Sequence, residues 1–290
     1  MIRAGRVAAM LVDVGDTRLH VTERGSGALP LFVLHGGPGL DHTMFGAYLD
    51  PLGDACRLLF VDERATGRSD LAPPETWTLA HQAADIEALA RALRLERYAV
   101  LGHSYGAFIA LQHAVDFPGR SVATVVSSGM PDARYLEHVQ RELEAFEPAE
   151  LREQVQSSWA REAQAHTQED VASLFADQLP FHFADPHDPR IGDLIAAMGD
   201  AVYGPDVLRA AATGAYGHIA VEDRLGGVTH PVLVLVGRHD RTCSVAAAEA
   251  IAGGVPDAEL VVFEHSGHMT YVEETEAYLA AVREFLLGVG

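Results

Sequence analysis

Short runs of apolar residues punctuate the chain at 30–35, 58–62, 98–102, 122–127, 232–237 and 260–263, each flanked by glycine, proline, aspartate or other turn-forming residues. Runs this short and this continuous predict strands buried on both faces, as in a parallel sheet, rather than the strict alternation of a sheet with one wet face. Between them the spacing becomes helical, most clearly over 78–94, where Ile86, Leu89 and Leu93 fall on one face and Ala83 and Ala90 fill it out. Strand and helix alternating in this way imply right-handed crossovers and helices on both faces of a mostly parallel sheet, an α/β architecture.

The alternation stops after Gly129. From 131 to 220 the pattern reads as helices, best at 135–146, 149–163 and 169–179, joined by loops rich in Pro, Asp and His, and the strand pattern resumes at Val232. A chain of 290 residues accommodates one core and an insertion. The expected organisation is a core made of 1–130 and 221–290 with a helical cap, or lid, at 131–220. The cap carries 16 Asp and Glu against 6 Arg, a net of -10, which is half of the chain's -20. An acidic lid favours neutral or cationic small molecules over anionic ones; helix faces turned to water account for the same composition.

Charge and composition narrow the function classes. With 48% hydrophobic and 21% charged residues, the chain has material for a large buried core. Its net charge repels nucleic acid and anionic membrane surfaces, which leaves a small-molecule substrate as the expected partner. All 21 basic residues are arginine. Without lysine there is no Schiff-base chemistry and no lysine-dependent phosphate loop. Cys56 and Cys243 lie in no metal-like spacing, as in a reduced cytoplasmic protein. Arg3 and Arg6 precede an apolar run, 7–12, that Asp13 ends before it reaches signal-peptide length, and no stretch approaches the ~20 apolar residues of a membrane span. The pattern specifies no oligomeric state.

The strongest chemical signal is Gly102-His103-Ser104-Tyr105-Gly106, a G-x-S-x-G between a predicted strand and a predicted helix. A chain that leaves a strand and enters a helix within one residue must turn sharply, exposing the serine hydroxyl above the sheet edge. A serine hydroxyl needs a base to take its proton and a carboxylate to orient that base. Asp240 follows the strand 232–237, and His268 follows the strand 260–263 in His265-Ser266-Gly267-His268, so both reach the edge where open α/β sheets place their sites. His265 and His239 compete with His268 as base, and Asp132 with Asp240 as acid, from less suitable positions. His35-Gly36-Gly37-Pro38-Gly39 follows the strand 30–34 and exposes backbone amides suited to an oxyanion. The expected donors are the N–H groups of Gly37 and Tyr105, with His35 and Gly36 beside the substrate.

Together with Asp62-Glu63-Arg64-Ala65-Thr66-Gly67-Arg68-Ser69, these motifs resemble the proline iminopeptidase branch of the α/β-hydrolases, the serine peptidase family that also includes the tricorn-interacting aminopeptidase. The resemblance spans essentially the whole chain and implies an eight-stranded core, a helical cap over the site and no cofactor. Two departures stand out. Ala65 occupies a position where the family usually has glycine. Members that take free N-termini hold the ammonium with glutamates, one shortly after a Gly-Pro late in the cap and one directly after the catalytic aspartate; here those positions carry Val207, after Gly204-Pro205-Asp206, and Arg241. An arginine facing the site would repel an ammonium. Asp206 and Glu222 are the candidate replacements, Tyr203, Phe181 and Trp159 the candidate pocket walls, and 181–188 lacks metal-site spacing. The expected reaction is Ser-His-Asp hydrolysis of an ester, lactone or amide bond in a small, largely apolar substrate. The alternatives are a proline iminopeptidase and a ligand-sensing homologue that does not hydrolyse.

Overall fold

The computed structural model describes residues 8–289; Arg3, Arg6 and Val7 of the N-terminal run lie outside them. Its strands are β1 (Ala8–Asp13), β2 (Arg18–Arg24), β3 (Leu29–Leu34), β4 (Cys56–Val61), β5 (Ala99–His103), β6 (Ala123–Ser127), β7 (Val232–Gly237) and β8 (Ala258–Phe263). They form one eight-stranded sheet in the order β1-β2-β4-β3-β5-β6-β7-β8. From β4 to β8 every neighbouring pair is parallel, whereas β2 runs antiparallel to both β1 and β4. Residues of β5, β6 and β7 are buried throughout, as continuous apolar runs in the middle of a parallel sheet should be.

The first two strands were not expected from the run pattern. β1 lies within the apolar run 7–12, which by itself does not separate strand from helix; as an edge strand with one wet face it alternates exposed and covered positions. The β1–β2 turn is closed by the Val14 N–H donating to the Thr17 carbonyl at 3.0 Å.

Helix α1 (Leu79–Ala92) follows β4 and starts where Thr78 accepts from the His81 N–H. Its Ile86 and Leu89 pack with Phe32, Tyr98 and Val100 on one face of the sheet, joined there by Ile109 of α2 (Tyr105–Asp116). Between β6 and β7 lie α3 (Leu136–Ala145), α4 (Ala149–Arg161), α5 (Gln168–His182), α6 (Arg190–Ala197), α7 (Pro205–Thr213) and α8 (Ala215–His218). After β7 come α9 (Val245–Gly254), α10 (Thr270–Glu273) and α11 (Thr275–Gly288). Tyr278, Val282 and Leu286 of α11 cover Leu31, Val33 and Leu101 on the sheet's other face. Loops after β3, β5, β7 and β8 all leave the carboxyl edge of parallel strands, which gathers Gly36, Ser104, Asp240 and His268 at one edge.

Candidate active site

Ser104 sits between β5 and α2 with φ 55° and ψ -118°, a conformation that costs any residue with a Cβ. The turn works only because its flanks are glycines. A Cβ on Gly102 would lie 2.0 Å from the Gly106 carbonyl oxygen, and one on Gly106 would lie 2.4 Å from that of Leu34. Strand and helix therefore approach at backbone distance, and the Ser104 N–H is taken by the Ser127 carbonyl of β6 at 2.9 Å.

His268 is almost wholly buried, and its Nδ1 lies 2.9 and 3.1 Å from the two Asp240 oxygens. Since a carboxylate only accepts, Nδ1 carries the proton and Nε2 is left as the basic nitrogen. Asp240 Oδ1 also accepts the N–H groups of Thr242 and Cys243, each at 2.8 Å. Burial works to raise the Asp240 carboxyl; the His268 ring and the two amides outweigh it and hold the group below the ordinary carboxylate range.

The glycine loop after β3 reaches the same place. Gly36 is so close that a Cβ there would meet the Ser104 Cβ at 3.1 Å. His35 is fully buried, kept neutral by burial, and its Nδ1 donates to the Gly36 carbonyl at 2.7 Å. That bond fixes the Gly36–Gly37 peptide plane, and in a trans peptide the Gly37 N–H points opposite to the held carbonyl. Tyr105 opens α2, so its own N–H is one of the helix's unsatisfied first donors.

Ser104, His268, Gly36 and Gly37 line one cavity of about 80 Å³, several times what a single water needs. Its apolar walls include Leu40, Met44 and Phe108 from the core, and Val139, Trp159 and Phe175 from the helices between β6 and β7. His103 and His182 also line it, with ring centroids 5.0 and 5.1 Å from that of His268. Burial drives both well below the usual imidazole range, His182 to about 3, so both are neutral.

Among the polar groups in the cavity wall that sequence reasoning missed, one is charged. Glu162, at the end of α4, is the carboxylate among the described lining residues. It accepts from Gln178 Nε2 at 2.7 Å and from the Tyr216 hydroxyl at 2.6 Å, and no arginine pairs with it among the described residues. Burial raises its carboxyl above the ordinary range despite those bonds. Nothing marks Glu162 in the sequence, where it is one acid in an acidic stretch.

Other expected residues lie elsewhere. Arg241 does not face the cavity: its guanidinium donates to the carbonyls of Phe181, Phe183 and Ala184 at 3.2, 2.6 and 3.3 Å, because those acceptors lie across the loop from Asp240. Phe181 is consumed by packing with Phe146, Val155 and Trp159, and Val207 by Ala65, Ala72 and Trp77. Tyr203 packs against the main core, and its backbone N–H and carbonyl are held by the side-chain amide of Gln168. His35 acts from behind the loop. Of the candidate pocket residues, Gly36 and Trp159 are the two that line the cavity. Asp206 pairs with Arg209, and Glu222 with Arg134. Asp132 caps the Arg134 N–H at 2.8 Å, and His239 and His265 are exposed.

His20, His42 and Asp62 bring three ligand-type atoms within 4.8 Å of one another. They fit a hydrogen-bonded cluster better than a metal site. His42 Nδ1 lies 2.6 Å from Asp62 Oδ1, closer than the ~3.3 Å between donors on one tetrahedral zinc. The same carboxylate also accepts the N–H groups of His42 and Arg68.

Residues 30–275 match the model of the alpha/beta hydrolase fold family. The proline iminopeptidase of Lactiplantibacillus plantarum is 27% identical over 282 residues, covering 92% of this chain and 94% of its own length. That of Saccharolobus solfataricus is 28% identical over 268 residues, covering 88% and 84%. The crystal structure of the Mycobacterium smegmatis proline iminopeptidase superposes with a TM-score of 0.77 at 28% identity, covering 97% of this chain and 98% of that one.

Proposed function

The chain belongs to the alpha/beta hydrolase fold family, and from that premise we propose that it is a serine hydrolase working through Ser104, His268 and Asp240. The observation carrying this reading is that Ser104, on its strained strand–helix turn, lines the same cavity as a His268 whose Nδ1 is held by Asp240 at 2.9 Å. Ser104 attacks a substrate carbonyl while His268 Nε2 takes the hydroxyl proton; Asp240 orients the ring and stabilises its charged form. The amides of Gly37 and Tyr105 receive the oxyanion. His268 then protonates the leaving group, and water releases the acyl-enzyme by the reverse sequence. The helices 131–220 act as the lid that shapes the substrate side, and the mostly apolar walls select an ester, lactone or amide of a small, largely apolar molecule. A fluorophosphonate probe should label Ser104, with turnover of short p-nitrophenyl esters. Absence of labelling would sink the hydrolase reading, and labelling with no turnover of any ester or amide would favour a ligand-sensing role.

A second reading, removal of an N-terminal proline, is supported by Glu162. A buried carboxylate with no cationic partner is short of a counter-charge that a substrate ammonium would supply. Because Arg241 is engaged elsewhere, it does not oppose such a substrate. Proline-naphthylamide turnover well above that of short neutral esters, lost in Glu162→Gln, would establish this reading over the first.

Among the described residues, no helix is long and apolar enough to cross a membrane. We propose a cytoplasmic enzyme acting on small molecules; the buried free thiols of Cys56 and Cys243 support the location, and the net charge of -20 disfavours nucleic acid and anionic membrane surfaces as partners.

A further inference from the structure

The segment from Phe181 to Ala184, where α5 ends, is gripped by both loops that carry the acid and the base. From the acid loop, Arg241 donates to the carbonyls of Phe181, Phe183 and Ala184. From the base loop, the His268 N–H donates to the His182 carbonyl at 2.7 Å. Glu273 then closes the circuit: its Oε1 accepts the Ala184 N–H and its Oε2 the Gly267 N–H, both at 2.8 Å. The contact is backbone against backbone, since a Cβ on Gly267 would lie 2.6 Å from the His182 carbonyl oxygen and 2.7 Å from the Ala184 nitrogen. Phe146 covers Arg241 on one side, its ring centroid 5.3 Å from the guanidinium carbon.

We propose that Arg241 and Glu273 are positioning residues that clamp the backbone of 181–184 and, through it, hold the His268 loop in register with Asp240 and Ser104. Neither touches substrate. Arg241 satisfies carbonyls that the end of α5 leaves open, and Glu273 ties the amide beside His268 to the same segment, so the base is placed correctly only while that segment is docked. This role rests on the serine hydrolase reading.

The groups around Glu273 make the clamp titratable. Burial outweighs the two amide bonds and lifts its carboxyl to about 7. Arg190 donates to the Glu273 carbonyl from α6 and is itself paired with Asp188, while Glu274 holds the His265 N–H and the Ser266 hydroxyl. Arg241, His182 and His268 complete the charged and titratable surroundings. Each Glu273 oxygen accepts one amide, so a proton on either oxygen weakens one of the two bonds.

Amide hydrogen exchange with Glu273→Gln and Arg241→Gln tests the clamp. In Glu273→Gln the Gly267 and Ala184 amides should exchange faster by about tenfold or more, with kcat falling by about tenfold and KM within about threefold. In the wild type, exchange at Gly267, corrected for its intrinsic rate, should accelerate as pH falls through about 7, and this dependence should be gone in Glu273→Gln. Arg241→Gln should lower kcat in the same way. Should either variant fail to fold, the other variant and the wild-type pH series still decide. Gly267 exchange that is insensitive to pH and to substitution, or folded variants with wild-type kcat, would overturn the clamp. A wild type that fluorophosphonate does not label would refute the hydrolase reading while leaving the exchange result standing on its own.

Discussion

At Ser104 the backbone is held in a conformation that only the surrounding packing can maintain, so the hydroxyl is presented without a side-chain rearrangement. Ser104→Ala should abolish fluorophosphonate labelling and reduce ester turnover to background while the cooperative unfolding transition is retained. Asp240→Asn should keep the fold and lower kcat by roughly 10⁴, because an amide at that position no longer selects the tautomer with a basic Nε2. The Glu162 carboxyl is raised by burial, so it is ionised above its shifted pKa and neutral below it. Preference for an amine-bearing ester over its des-amino analogue should therefore fade as pH falls through that pKa, and be absent at every pH in Glu162→Gln; paired kcat/KM measurements check both. Ser104, Asp240 and His268 stood out in the sequence because each follows a strand in a glycine-marked loop. Glu162 and Glu273 did not, since their significance lies in what a distant segment packs against them. Glu273 left a faint trace, an acid directly after Tyr271 and Val272 in a stretch that proved buried. Arg241 was visible but its direction was not, because its acceptors lie about 60 positions away in the chain.

Elements buried on both faces were the easiest to read. Strands β3 to β7 gave continuous apolar runs, and the helical spacing of 78–94 coincides with α1 to within two residues at either end. β1 and β2 went unread because the run 7–12 does not by itself separate strand from helix, and because β2 buries His20 and Thr22 between its apolar residues, which breaks its run. β8, the opposite edge, starts at Ala258, two residues before its apolar run, because the exposed Glu259 interrupts the pattern. Where strand β3 meets helix α2 the tolerance is small. Gly106→Ala would drive a methyl carbon to 2.4 Å from the Leu34 carbonyl oxygen, and backbone cannot swing aside as a flexible side chain can. A loss of at least ~1–3 kcal/mol of stability, with activity falling in the molecules that still fold, is the expected result of denaturant unfolding and ester assays.

The molecule as a whole carries a formal charge of -20, and the helices between β6 and β7 hold much of it. Steering by such a field is long-ranged at low salt and largely screened once the Debye length falls to ~8–10 Å. For a cationic ester, kcat/KM should drop as sodium chloride is raised, while a neutral ester of the same shape should show a flat response; equal slopes would remove any role for the acidic surface in capture. The grip of the two catalytic loops on 181–184 has a further consequence for how such enzymes diversify. A lid that only shaded the active site could be traded among relatives as a module, with new specificity and unchanged chemistry. Here the graft junctions would have to preserve four residues deep inside the exchanged piece, so chimeras cut at 131 and 220 would inherit a working base only from donors whose lid offers the same carbonyls to Arg241 and the same amide to Glu273.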